Sequence, residues 1–446
     1  MEFIDAELKK SGHNLRGLLN DLKRRPKDAA EELGYKVQDL ESYISGIKPI
    51  PPEFIKVACE KWPVNERDFF VIKDDCPDGL KIMRSSESYS SSRIMERAGK
   101  PYYEYRDTVI TSSTTFRPEW IEELCIVEDN DPENRSVQWN NGHFMHQFTY
   151  FIGDVNYYYK DENGKKCVGI MSTGDSCYIT PFVSHSFTTR AGANKPGLIL
   201  ALTFGSSLSG DAQQELAAIS NPAKASEFAL DFTSSDKGAG SLVRYFRNSF
   251  SISLEELSNR TKISEKKLQD IENGSSATLN ELKIIALSMN INLRDILPND
   301  VVEPVTIIQK YNEGRRWSLS KSYNVVELAN SSSLPYTRSL EISVKSQRDH
   351  DDYDQNIGLH QYIYNVGDSE LIINSENGKE KFYPGDSCYI KPFLKHNFRG
   401  DGKILCLRIG GKIGGDPQRE LSVIGKKNSE RAISESLPWF NPEGSK

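Results

Sequence analysis

No stretch of this 446-residue chain approaches the roughly 18 consecutive apolar residues of a membrane span, so no helical membrane segment is expected. The opening residues Met1 to Asp5 lack a basic stretch followed by an apolar run, and no secretory leader is expected. The seven cysteines (59, 76, 125, 167, 177, 388, 406) contain no CxxC pair, and their odd number argues against a disulfide framework. Reduced thiols in a cytoplasmic protein fit better. An excess of basic residues is also missing. Lys and Arg number 56 against 63 Asp and Glu, a net charge of -7, which disfavours a general polyanion binder. Histidine is scarce, at seven, yet five of the seven fall in two matched segments. That concentration is the first functional signal.

The matched segments form an internal repeat. Gly174-Asp175-Ser176-Cys177-Tyr178-Ile179, with Pro181-Phe182 and His185, returns as Gly385-Asp386-Ser387-Cys388-Tyr389-Ile390, with Pro392-Phe393 and His396. Upstream, His146-Gln147 ahead of Gly153-Asp154 is echoed by His360-Gln361 ahead of Gly367-Asp368. A repeat on this scale governs the whole fold.

Residues 14–46 read as three short helices: Leu15, Leu18, Leu19 and Leu22 at helical spacing, Asp28 to Leu33 stopped by Gly34, and Val37 to Ser45 closed by Gly46. This helix-turn-helix pattern recurs near 252–298, with Ser264 as a candidate cap. Between and after these stretches, Phe148–Ile152, Val155–Tyr159 and Leu371–Ile373 read as strands punctuated by Gly-Asp and Glu-Asn-Gly turns. The expectation is an α+β chain, a tandem repeat of a helix-turn-helix-like module and a cupin (double-stranded β-helix, jelly-roll) barrel. The expected units are 1–75 helical, 76–206 first cupin, 207–305 linker and second helical module, and 306–446 second, degenerate cupin, with residues 206–240 as the connection.

Two imidazoles and an oxygen donor that leave one face open suit a non-haem Fe(II) site. His143, Gln147 and His185 are the candidate ligands in the first copy. On a straight strand the four-residue step from His143 to Gln147 would span about 13 Å, too far for one ion. Asn140-Asn141-Gly142 is turn chemistry, so a bend before the strand is expected to bring both side chains together. His146 reads as structural, because its echo His360 persists where the set is incomplete. In the second copy Ile357 stands where His143 would be, leaving Gln361 and His396, and that site is expected to be empty.

With these residues in view, the chain resembles the phosphonate-metabolising non-haem iron oxygenases. Asn140-x-Gly142-His143-x3-Gln147, followed by His185 thirty-eight residues later, carries the resemblance over both repeats. The family's epoxidase has a glutamate at the position of Gln147. Its hydroxyethylphosphonate dioxygenase has one six residues before the last histidine, where this chain has Ile179. A glutamine third ligand is similar to the methylphosphonate-forming branch.

The resemblance implies Fe(II) as cofactor and dioxygen as co-substrate, without 2-oxoglutarate or nicotinamide. It implies cleavage of 2-hydroxyethylphosphonate to methylphosphonate and carbon dioxide or bicarbonate. Hydroxymethylphosphonate plus formate is the alternative outcome. By position it also implies Arg97, Tyr105 (with Tyr103 adjacent), Asn140 and Lys23 as phosphonate anchors, Lys23 and Tyr105 also being catalytic, with Lys27 as a rival for Lys23. A guanidinium fork, phenol and amide donors and one ammonium are suitable partners for a phosphonate dianion.

A reading from another class stays open, a ligand-sensing transcription regulator of helix-turn-helix and cupin plan. The candidate recognition helices argue against it: Val37 to Tyr43 carries two acids and no base, and the Lys266-Lys267 helix is balanced by Glu265, Asp270 and Glu272. The expected partners are a small phosphonate and further copies of the chain, with no membrane and no nucleic acid.

Overall fold

The computed structural model describes residues 2–429 except 72, 113, 115, 144, 205–230, 232, 298–304, 332–336, 347–352, 354 and 411–424. It is a mixed helix-and-sheet structure. Helices Glu2–Asp21, Pro26–Leu33, Val37–Ile44 and Pro52–Lys61 pack with the short turn Glu66–Phe69 around Leu15, Leu33, Leu40, Phe54 and Trp62. Helices Ser235–Ser249, Leu254–Thr261, Glu265–Glu272 and Leu279–Ser288 do the same around Val243, Leu257, Leu268 and Ile285. Both groups rest on a close approach that only glycine allows. A Cβ on Gly12 would strike the carbonyl of Ile44, and one on Gly240 the carbonyl of Ile271. The first helix is longer than its leucine spacing suggested, and helix Ser235–Ser249 occupies the end of the expected connection. The rest of that connection, apart from Asp231, Thr233 and Ser234, lies outside the described residues. Among the described residues no helix is long and apolar enough to cross a membrane. The seven cysteines are free thiols.

Among the described residues the strands form sheets of seven, four and nine. In the seven-stranded sheet His146–Ile152 lies between Ser176–Ile179 and Gly197–Phe204, followed by Arg117–Glu123, Lys100–Asp107 and Arg93–Arg97. The four-stranded sheet carries His185–Arg190 against Val155–Lys160. Two strands are exchanged between the repeats. Leu80–Met83 pairs with Ser387–Ile390, and Thr306–Gln309 pairs with Ser176–Ile179.

Strand alternation divides the burial. Phe148 and Tyr150 point from their strand into a core shared with Tyr362, Tyr364 and Tyr389 of the second repeat. The hydroxyl of Tyr150 donates to Glu341 across that junction (2.7 Å). The intervening residues Gln147, Thr149 and Phe151 face the other way. Phe151 joins Tyr103, Ile121, Tyr157, Ile179 and Phe187 in a second core. Gln147 and His185 thus come from two different sheets, and each lies beside His143.

Candidate metal centre

His143 precedes its strand, in a segment that turns at Gly142. The backbone there has φ +72°, and a Cβ would lie 2.6 Å from the carbonyl carbon of Phe182. Glycine alone fits. The bend is tied down by Phe182, whose N–H donates to the carbonyl of His143 (2.8 Å). His143 and His185 then meet edge to face, ring centroids 5.2 Å apart.

The hydrogen bonds fix the tautomer of His185 and limit that of His143. His143 Nδ1 lies 2.9 Å from the carbonyl of Met145, and His185 Nδ1 lies 2.8 Å from that of Val183. A carbonyl only accepts, so His185 Nδ1 carries the proton; His143 has an oxygen acceptor at each ring nitrogen, and with its proton on Nδ1 its Nε2 presents a lone pair. Gln147 is oriented by Thr149, two residues along the same face, whose hydroxyl accepts from the Gln147 amide nitrogen (2.9 Å). That bond turns Oε1 towards His143 Nε2, at 3.1 Å. In the Nδ1-protonated form of His143 two acceptors confront each other, an arrangement that a cation between them relieves.

The electrostatics agree with a cation site. Burial pushes the pKa of His185 down to about 4, with His143 and Arg97 adding to the effect, so the imidazole is neutral at neutral pH. Among the described residues no group of three His, Cys, Asp or Glu side chains stands together. Any ion here depends on the amide oxygen of Gln147. Directly across the strand pair from Gln147 is Ile179, wholly buried and without a donor atom.

Asn140 braces His185. Its side-chain oxygen accepts from the N–H groups of Gly142 (3.0 Å) and His185 (2.8 Å), and its amide nitrogen donates to His185 Nε2 (3.0 Å). Arg97 donates to the carbonyl of Gln138 (2.8 Å) and lies over the Tyr103 ring, 4.7 Å from its centroid. Tyr105 meets Tyr103 edge-on at 5.9 Å, and burial pushes its phenol up to about 12, so it stays a donor. Tyr103 is differently engaged. Its hydroxyl accepts from the N–H of Phe187 (3.0 Å) and contacts the Ser186 hydroxyl, committing it to the framework. Lys23 stands apart, in the turn after the first helix, where its ammonium donates to the carbonyl of Asp21 (3.0 Å). Lys27 is in the helix that follows. Thr149, Ser186 and Gln138 were not singled out in the sequence; for Thr149 a signal existed, because residues two apart share a strand face.

The second repeat shows what happens without the set. The carbonyl of Ile357 accepts from Phe393 N–H as that of His143 does from Phe182. Arg408 lies opposite Gln361, as Thr203 lies opposite Gln147. Its guanidinium donates to the Gln361 oxygen (3.3 Å) and to Gln355 (3.1 Å). A fixed organic cation faces the leftover donors. His146 and His360 each contact a tyrosine hydroxyl, Tyr178 and Tyr389, through Nδ1.

No family model matches the chain. It is 54% identical, over 99% of its length and 98% of the relative's, to methylphosphonate synthase of Nitrosopumilus maritimus (strain SCM1). The chain belongs to the methylphosphonate synthase family. Its fold is similar to that of Streptomyces albus HEPD with 2-hydroxyethylphosphonate and Fe(II) bound, with a TM-score of 0.88 and 36% identity, covering 98% of this chain and 99% of that one. PhpD with cadmium, complexed with hydroethylphosphonate, shares the fold at TM-score 0.74 and 20% identity, over 96% and 99% of the two chains.

Proposed function

We propose that this chain is an Fe(II)-dependent oxygenase that cleaves the carbon–carbon bond of 2-hydroxyethylphosphonate with dioxygen, giving methylphosphonate and carbon dioxide or bicarbonate. The observation that carries the reading is the pair of acceptors His143 Nε2 and Gln147 Oε1 beside His185, in a chain 54% identical to a methylphosphonate synthase. The atoms balance: one dioxygen atom ends in carbon dioxide, the other in water, and the phosphonate-bearing carbon becomes a methyl group. The substrate supplies all four electrons, so neither 2-oxoglutarate nor nicotinamide is required.

His143, Gln147 and His185 would hold the iron, which supplies dioxygen activation and a template for the substrate. The protein supplies orientation. A neutral glutamine in place of a carboxylate leaves one more positive charge at the centre, to which a dianionic phosphonate is complementary. Arg97 offers its guanidinium, Tyr105 a phenol proton, and Asn140 the amide donor that iron on His185 Nε2 would release. Lys23 sits in the helical region, and we read it as the ammonium that completes the anion pocket from a neighbouring copy of the chain. We read the two strand regions as cupin barrels, the first (76–206) holding the metal and the second (306–446) degenerate. The helical groups, at 1–75 and at the end of 207–305, are read as helix-turn-helix-like modules.

Oxygen uptake tests the electron count. The Fe(II) protein supplied with 2-hydroxyethylphosphonate and no reductant should consume one dioxygen per substrate, and His143→Ala should consume none. A requirement for 2-oxoglutarate or an external reductant would refute the reading.

A further inference from the structure

Strand register matches the two repeats residue by residue. Tyr103 lies opposite Glu123, and Glu123 opposite Gly197. In the second repeat Tyr323 lies opposite Val344, and Val344 opposite Gly402. The two tyrosines make the same bond, each hydroxyl accepting at 3.0 Å from a backbone N–H, of Phe187 and Phe398 respectively. Glu123 therefore corresponds to Val344, and by the same register Tyr105 corresponds to Val325.

Glu123 and Val344 are both 0% exposed. In the second repeat this framework position is filled by an apolar side chain, so the shared strand geometry does not require a carboxyl. It is also costly. Neither carboxylate oxygen has a hydrogen-bond partner among the described residues, and such a buried, unmatched group typically costs about 1–3 kcal/mol. A costly group kept only in the repeat that holds the metal-binding set calls for a function.

Its surroundings indicate which one. Register puts Glu123 on the inward face with Tyr103 and Tyr105, and Arg97 is the cation whose field reaches it. Burial raises the carboxyl well above the ordinary carboxylate range, with Arg97 opposing, and a buried carboxyl without a partner favours its neutral form. An ionised carboxylate here would offset the guanidinium and repel a dianion. A neutral acid does neither, and can still accept and donate hydrogen bonds.

We propose that Glu123 is a positioning residue of the anion pocket, a buried carboxylic acid on the face of Tyr103 and Tyr105 whose unpartnered hydrogen-bonding atoms engage Arg97 and Tyr105 once the phosphonate is bound, without cancelling the guanidinium charge. This rests on the reading of Arg97 and Tyr105 as phosphonate anchors.

The test compares Glu123→Val, which copies the second repeat, with Glu123→Gln, which keeps a neutral hydrogen-bonding group. Methylphosphonate binding to the anaerobic Fe(II) protein is measured by calorimetry, alongside turnover of 2-hydroxyethylphosphonate, iron content and melting temperature. Glu123→Val should keep its iron and melt no lower than the wild type. Its Kd for methylphosphonate and its KM should rise at least about tenfold, as losing roughly 1.4 kcal/mol of positioning implies, with kcat changed far less. Glu123→Gln should stay within about threefold of the wild type, a tolerance well under that 1.4 kcal/mol. Unchanged binding and KM in Glu123→Val would overturn the proposal. So would a Glu123→Gln variant as weak as Glu123→Val, because the group would then act as an anion. A wild type that binds methylphosphonate but does not turn over 2-hydroxyethylphosphonate would count against the proposed activity, and the binding comparison would still decide the role of Glu123.

Discussion

Thr149 accepts a hydrogen bond from the amide nitrogen of Gln147 at 2.9 Å, and so decides which end of that amide faces His143. In the second repeat the residue two places after Gln361 is Ile363, which can offer no such bond. Outer partners of this kind are typically worth 10- to 100-fold in metal affinity. Thr149→Val should weaken Fe(II) binding by about that range, while Thr149→Ser should stay close to the wild type. Metal titration under anaerobic conditions checks this, and equal affinities for the Val and Ser variants would contradict it.

Gly142 makes a second prediction. Gly142→Ala forces a left-handed backbone on a residue with a Cβ and drives that Cβ into Phe182. The strain should cost about 1–3 kcal/mol, seen as a lower melting temperature. Iron content should fall as well, because His143 is the next residue. A variant that keeps both values would show the turn to be adaptable.

Metal stoichiometry tests the contrast between the repeats. Arg408 already places a guanidinium against Gln361 and Gln355. The chain should therefore hold one iron, lost in His143→Ala and retained in His396→Ala. Two irons per chain would contradict the assignment.

The histidines of the second repeat set an acid limit. Burial pushes His360 and His396 down to about 4. Below the usual histidine pKa of about 6.5 the unfolded chain binds protons that the native state refuses. Stability should accordingly fall as pH drops from about 6.5 towards 4. His396→Asn should flatten that dependence in chemical denaturation. An unchanged slope would mean that His396 titrates normally in the folded protein.

Much of this was legible in the sequence, for physical reasons. The repeated Gly-Asp-Ser-Cys-Tyr-Ile motifs are local, and Asn140-Asn141-Gly142 announces a turn by composition alone. What escaped depends on pairing between distant strands. The exchange of Leu80–Met83 and Thr306–Gln309 between repeats leaves no local signature. The pairing of Glu123 with Tyr103 exists only in register. Tyr103 and Tyr105 look interchangeable two residues apart on one strand, yet the hydroxyl of Tyr103 is taken by the backbone of Phe187. Helix Ser235–Ser249 was missed because its first turns are rich in Ser, Gly and Ala, which read as linker.

The most direct test of the account is phosphorus NMR of the products after the Fe(II)-reconstituted protein has met 2-hydroxyethylphosphonate and air. The predicted result is a methylphosphonate signal that disappears in Gln147→Ala. Hydroxymethylphosphonate as the product would contradict the link between the Gln147 donor and methylphosphonate formation, and unchanged substrate on the iron-loaded protein would contradict the activity itself.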